Sequence, residues 1–225
     1  MIEHVVWDWN GTLLDDFEIT AEASAIMIRL AGRSDVTYDD IRASHTRPFS
    51  DFFRMLVGRD PTEDEMGASL RRYIDMYEPI KRELPLASDA LQSLSLLRDH
   101  GIGQSILSMA PDEELNELVG LRGIRDYFRR VDGATVLGQE KKVESLRRHV
   151  DALGCVPGRV ALVGDTVDDF LAADALGIRA VLVTTGMNAR QRLLATGAPV
   201  TDTLLAAAQA ITELAGRKAA LQGGS

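Results

Sequence analysis

Residues 4–16 read HVVWDWNGTLLDD, an apolar run that ends on Asp8 and is followed by Asn10, Gly11 and Thr12. A carboxylate at the end of a buried strand, with a glycine turn behind it, can attack phosphorus or hold a hard cation. Other apolar runs also end on reactive groups. SILSMAPDE places Ser108 after a second run, Lys141 and Lys142 open a later helical stretch, and VALVGDTVDDF places Gly164, Asp165, Thr166, Asp168 and Asp169 after another. Several carboxylates without clustered histidines favour oxygen ligation of Mg²⁺, which binds through one or two carboxylates and substrate phosphate. A hydroxyl, an ammonium and backbone N–H groups around Gly11 suit phosphate oxygens. No GxxxxGK[ST] run occurs, so a P-loop nucleotide site is excluded.

These groups need elements that bring them to one edge. Strands are expected at His4–Trp7, Gly103–Leu107, Arg159–Val163 and Arg179–Val183, with a weaker one at Gly133–Leu137. Helical patterns fall between them at Ser88–Asp99, Asp112–Leu121, Lys142–Leu153, Asp168–Leu176 and Thr203–Ala215. The alternation predicts an α/β fold: a Rossmann-like, doubly wound parallel sheet with helices on both faces. Such sheets bind ligands at the carboxyl ends of their strands. From 16 to 83 no strand pattern appears, only helical segments near Glu18–Leu30, Asp39–Ala43, Phe49–Leu56 and Thr62–Tyr77. The expected organisation is a core of residues 1–15 and 84–225 with an α-helical cap, 16–83, inserted after the first strand. The last residues, GRKAALQGGS, are expected to fray.

Composition limits the function classes. The 225 residues are 45% hydrophobic and 26% charged, as in a globular protein with a full core. A net charge of -9 argues against a nucleic-acid surface. Apolar stretches are strand-sized, so no membrane span is expected. The single cysteine, Cys155, rules out an intrachain disulfide and fits a reducing cytoplasm.

With the motifs in order, the chain resembles the haloacid dehalogenase-like hydrolase superfamily, in its phosphatase branch, over nearly its full length. The first motif is DWNGTL, the second Ser108 in ILSMA, the third Lys142 (or Lys141), and the fourth GDTVDD followed by AADALG. The resemblance implies a Mg²⁺-dependent phosphomonoester hydrolase acting on a small phosphorylated metabolite, as a monomer or homodimer, with phosphoglycolate-like or sugar phosphates the common choices. Asp8 would be nucleophile and metal ligand. The backbone carbonyl of Asn10, with Asp165 and Asp169, would complete the metal site. Ser108, Lys142 and the backbone groups of Gly11, Thr12 and Met109 would cradle the phosphoryl group.

Position 10 departs from the pattern. The family usually has aspartate there, which protonates the leaving oxygen and then activates water; asparagine does not titrate near neutral pH. Loss of a general acid–base costs about 10²–10⁴-fold in rate. The readings left open are a slow phosphatase, a preference for good leaving groups, a substitute acid elsewhere, an engineered position, or a metabolite-binding protein without useful turnover. Dehalogenase and phosphonatase chemistry are further alternatives, and Lys81, the one cap-region lysine, argues against the second. His45 and Arg47, in SHTRPF, sit in a polar interruption suited to closing over substrate, and Arg47 could pair with a second anionic group, although an exposed loop arginine accounts for it equally well. Asp15 and Asp16 read as residues that shape the turn into the cap.

Overall fold

The computed structural model describes residues 1–135 and 141–216. Six parallel strands form one sheet: β1 (His4–Trp7), β2 (Gly103–Pro111), β3 (Arg130–Ala134), β4 (Val160–Gly164), β5 (Arg179–Val183) and β6 (Val200–Thr201), in the order β3-β2-β1-β4-β5-β6. The chain lays strands to one side of β1, then returns to lay β4 on its other side. The switch point therefore lies between β1 and β4, where a sheet of this kind opens a crevice at its carboxyl edge.

Alternation along the strands builds the two faces. Val5, Trp7, Ile106, Val163 and Val181 join a core with Leu94, Leu115, Leu204 and Ile211 from α5 (Ala90–Asp99), α6 (Asp112–Leu121) and α10 (Leu204–Gly216). Val6, Leu107, Leu162 and Leu182 point the other way, onto Leu146, Val150, Ala172 and Ala173 of α7 (Lys142–Leu153) and α8 (Val167–Asp174). One buried polar chain crosses the sheet. Ser105 Oγ lies 2.8 Å from both His4 Nε2 and His149 Nε2, and His149 Nδ1 lies 2.7 Å from Asp132 Oδ2. It ties β1, β2, β3 and α7 together.

Between β1 and α5 come α1 (Phe17–Leu30), α2 (Tyr38–Ser44), α3 (Phe49–Val57) and α4 (Glu63–Tyr77). The first three enclose a separate apolar cluster that includes Phe17, Ile28, Ile41, Phe52 and Phe53, while Tyr73 and Tyr77 of α4 pack against the sheet core. Thr37 and Thr62 open α2 and α4 with reciprocal capping boxes to Asp40 and Glu65.

Several boundaries differ from the sequence expectation. The weak strand lies at Arg130–Ala134, three residues earlier than Gly133–Leu137, because it pairs through Arg130–Asp132 with Ser105–Leu107; positions 136–137 lie outside the described residues. β2 runs on to Pro111 after a register shift beyond Leu107. The short α9 (Arg190–Leu194) and the two-residue β6 were too brief to leave a periodic signal. The expected fraying beyond 216 also falls outside the described residues.

Candidate active site

β1 delivers Asp8 to the switch point, where its backbone N–H donates to Val163 O at 2.8 Å. β4 ends at Gly164 and hands over Asp165. Asp169 is the third residue of α8, where its carboxylate closes a capping box with Thr166. Oxygen atoms of Asp8, Asp165 and Asp169 lie within 4.8 Å of one another. Lys142, the first residue of α7, reaches this group from the helix packed beside α8. Its Nζ donates to Asp8 Oδ1 at 2.7 Å and also pairs with Asp169. Lys141 is the residue before that helix and is exposed, so Lys142 is the lysine at the site.

Burial sets the electrostatics. Asp8 is pushed up to about 6 by desolvation; the Lys142 charge pulls it back and Asp169 adds to the rise. Asp165 lies well above the usual carboxylate range, from desolvation first and then from Asp8 and Asp169. For Lys142 burial alone would lower the pKa, but Asp169 and Asp8 outweigh it and hold it above its ordinary value. Three buried carboxylates thus share one ammonium, the electrostatic setting in which a divalent cation is favoured.

The turn after β1 comes close to Asp165. Gly11 has φ 70°, and a Cβ there would sit 2.7 Å from Asp165 Oδ2. Gly186, after β5, is closer still: its Cβ would meet Asp165 Oδ2 at 1.9 Å. Met187 N donates to the same oxygen at 2.7 Å, and Thr12 Oγ1 donates to Asp165 Oδ1 at 3.1 Å.

Two expected phosphate contacts are spent elsewhere. The Gly11 N–H donates to Asp16 Oδ1 at 2.7 Å, not into the cleft. Thr12 is fully buried; its hydroxyl serves Asp165 and its N–H donates to Trp9 O at 3.2 Å. Both residues shape the turn. Ser108 is 2% exposed, and its Oγ accepts from Ala110 N at 3.1 Å, which leaves the hydroxyl hydrogen to donate; Met109 beside it is half-buried. His45 turns its ring edge-on to Phe52, at 5.9 Å between centroids, so its imidazole belongs to the helical cluster. Arg47 is exposed and lies 4.0 Å from Asp168 Oδ2, at the rim of the acidic group.

Three further contributors lie outside the motif residues. Asp16, 3% exposed, accepts from Asn10 Nδ2 at 2.6 Å. Its carboxyl is pushed up to about 6 by desolvation, against the pull of the Asn10 hydrogen bond. Tyr77, at the end of α4, accepts the other Asn10 amide hydrogen at 3.0 Å. The segment 186–189 joins the helical insert to the acidic group. Gly186 O accepts from Arg42 Nε at 3.1 Å, Asn188 Nδ2 donates to His45 O at 3.0 Å, and Asn188 Oδ1 accepts from Val167 N at 2.8 Å. The doubled acid at 15–16 was the available signal for Asp16; the others depend on contacts distant in sequence.

A parallel sheet carrying carboxylates from β1 and β4 at its switch point, with a lysine at the start of α7, defines a class of hydrolase. A profile of the haloacid dehalogenase-like hydrolases matches residues 5–183, and the chain belongs to that family. Phosphoglycolate phosphatase of Synechococcus elongatus is 28% identical over 204 residues, covering 86% of this chain and 89% of that one. Phosphoglycolate phosphatase 1 of Pseudomonas aeruginosa is 25% identical over 194 residues, covering 82% and 70%. A haloacid dehalogenase-like protein of unknown function from Agrobacterium tumefaciens superposes with TM-score 0.77 at 20% identity, over 96% of this chain and all of that one, a likeness of fold.

Proposed function

We propose that the protein is a Mg²⁺-dependent phosphomonoester hydrolase that works through an aspartyl-phosphate on Asp8. The observation that carries this reading is the Lys142 ammonium set between Asp8 and Asp169, beside Asp165. The all-oxygen donor set fits Mg²⁺, with Asp8, Asp165, Asp169 and the Asn10 carbonyl as its holders. When bound, Mg²⁺ supplies charge neutralisation for the phosphoryl oxygens. An Asp8 oxygen forms the new bond to phosphorus while the bond to the leaving oxygen breaks. Lys142 and the Ser108 hydroxyl hold the phosphoryl oxygens as charge shifts. Water then attacks phosphorus as the bond to the Asp8 oxygen breaks; inorganic phosphate leaves, Asp8 returns as carboxylate, and the proton the water gives up balances the leaving oxygen, which departed as an anion.

The relatives named as phosphoglycolate phosphatases favour a small, anionic phosphorylated metabolite, and Arg47 at the rim is placed to meet a second anionic group. Residues 16–83 act as the cap that excludes bulk water during the reaction. The enzyme works in the cytoplasm as a monomer or homodimer.

The test is a panel of p-nitrophenyl phosphate, acetyl phosphate and alkyl phosphates, each with Mg²⁺ and with EDTA. Mg²⁺-dependent turnover is expected, with aryl and acyl phosphates ahead of alkyl ones because Asn10 cannot protonate a poor leaving group. Retained Mg²⁺ and phosphate binding without turnover of any compound would overturn the enzyme reading in favour of a binding protein.

A further inference from the structure

Asp16 stands at the residue before α1, a position where an aspartate ordinarily spends its side chain on the helix N–H groups. Here it makes no such bond. Both carboxylate oxygens turn back onto the turn after β1: Oδ2 takes Asn10 Nδ2 at 2.6 Å and Oδ1 takes Gly11 N at 2.7 Å. The turn itself makes this possible. Leu14 N donates to Trp9 O at 2.8 Å and Leu14 bridges to Asn10, so the chain doubles back and brings residue 16 beside residue 10. The remaining Asn10 amide hydrogen goes to Tyr77 OH at 3.0 Å. Tyr77 is 4% exposed and stacks on Tyr73 at 5.0 Å.

Three elements thus fix one amide: the β1 turn, the start of α1 and the end of α4. An ionised carboxylate only accepts, so it selects the Asn10 rotamer with the nitrogen inward. Both amide hydrogens are then used. Asn10 is also the one partly accessible residue between His4 and Leu14. What its side chain has left to offer the cleft is the carbonyl oxygen Oδ1, an acceptor.

We propose that Asp16 is the positioning residue for position 10: it locks the Asn10 amide so that this position, which has no acidic proton to give, presents an acceptor for water. The inference rests on the phosphatase reading and narrows its substrates. The compounds served best are those whose leaving oxygen departs as a stable anion, namely acyl, enol and aryl phosphates. It also changes what Asn10→Asp means. A carboxylate introduced at position 10 meets the Asp16 carboxylate at hydrogen-bond distance; such a pair holds one proton between its two oxygens, so the single substitution does not hand that proton to the leaving group. Acid and amide must be exchanged together.

The experiment compares wild type, Asn10→Asp, Asp16→Asn and the exchange Asn10→Asp/Asp16→Asn, in urea melts without metal and in turnover of aryl and alkyl phosphates with Mg²⁺. Each single variant faces like with like, carboxylate on carboxylate or amide on amide, and loses midpoint; the exchange regains at least half of that loss. Asp16→Asn lowers kcat for aryl phosphates by about 10- to 100-fold through misplacement of residue 10, with KM little changed. The exchange restores kcat and narrows the gap between aryl and alkyl substrates. Additive stability losses, or Asn10→Asp narrowing that gap as fully as the exchange, overturn the proposal. The melts need no turnover. Coupled stabilities with no hydrolysis by any of the four proteins would therefore overturn the phosphatase reading while supporting the Asn10–Asp16 pairing.

Discussion

At Lys142 a single ammonium balances two buried carboxylates. Lys142→Met keeps the stem and removes the charge, and breaking a buried pair in this way costs about 3–5 kcal/mol. The metal-free variant is expected to melt at lower urea, with added Mg²⁺ returning most of the loss and turnover falling about 10²–10³-fold. An unchanged metal-free melt would show that the pairing contributes little to the fold. His4 gives a pH signature of opposite origin. It is 1% exposed, and its pKa is lowered to about 4 by burial first, then by the Arg129 charge and His149. The fold therefore favours the neutral ring. That contribution is complete above pH 6.5 and is lost as pH falls toward 4. His4→Gln keeps a polar partner for Ser105 but cannot titrate. Between pH 7 and 4 the stability difference is expected to move against wild type by up to about 3 kcal/mol, and a constant difference would assign the titration to another group. At this scale, the acids and the lysine were legible because each directly follows a strand or opens a helix. Asp16 was legible only as a residue shaping the turn into the cap; its partner Asn10 was not, because that partner is chosen by a turn whose closure depends on the Leu14 bridge.

Among the elements, the segment 186–189 ties α2, α8 and Asp165 together. Asn188 is 1% exposed and bridges the first N–H of α8 to the carbonyl of His45. Asn188→Ala leaves Val167 N without its acceptor and removes one of the two donors to His45 O, the other being Arg192. The cost is about 1–3 kcal/mol for an unsatisfied buried donor. Kinetically, KM is expected to rise more than kcat falls, since the change loosens the helical insert and leaves the carboxylates in place. A fall in kcat alone would mean that the segment acts on Asp165 and not on the insert. Periodicity exposed the long helices and the buried strands, whose signals repeat over enough residues to read. It gave nothing for Gly186–Ala189, a loop whose importance comes from contacts with residues 42, 45, 165 and 167 and with the apolar cluster of the helical insert.

Over the whole molecule, the net charge of -9 includes three carboxylates that the fold assembles at one sheet edge. Assembly raises Asp8 and Asp165, so part of the folding free energy is spent on holding them together. A cation that binds only the folded state returns it by mass action, about 2.7 kcal/mol at 100-fold excess over Kd. Mg²⁺ is expected to raise Tm in a concentration-dependent way, and Asp165→Asn to abolish most of the shift; an equal shift in that variant would place the cation elsewhere. The sheet order was foreseeable only as a class, because alternation of strands and helices fixes parallelism but not which neighbour each strand takes. Met187 carries the further consequence. Its side chain belongs to the apolar cluster of the helical insert, while its backbone N–H holds Asp165. The insert is therefore not an interchangeable module: a chimera that exchanges residues 16–83 with those of a relative must bring a matching 186–189 segment, or the foreign helices will detune Asp165 through the Met187 backbone.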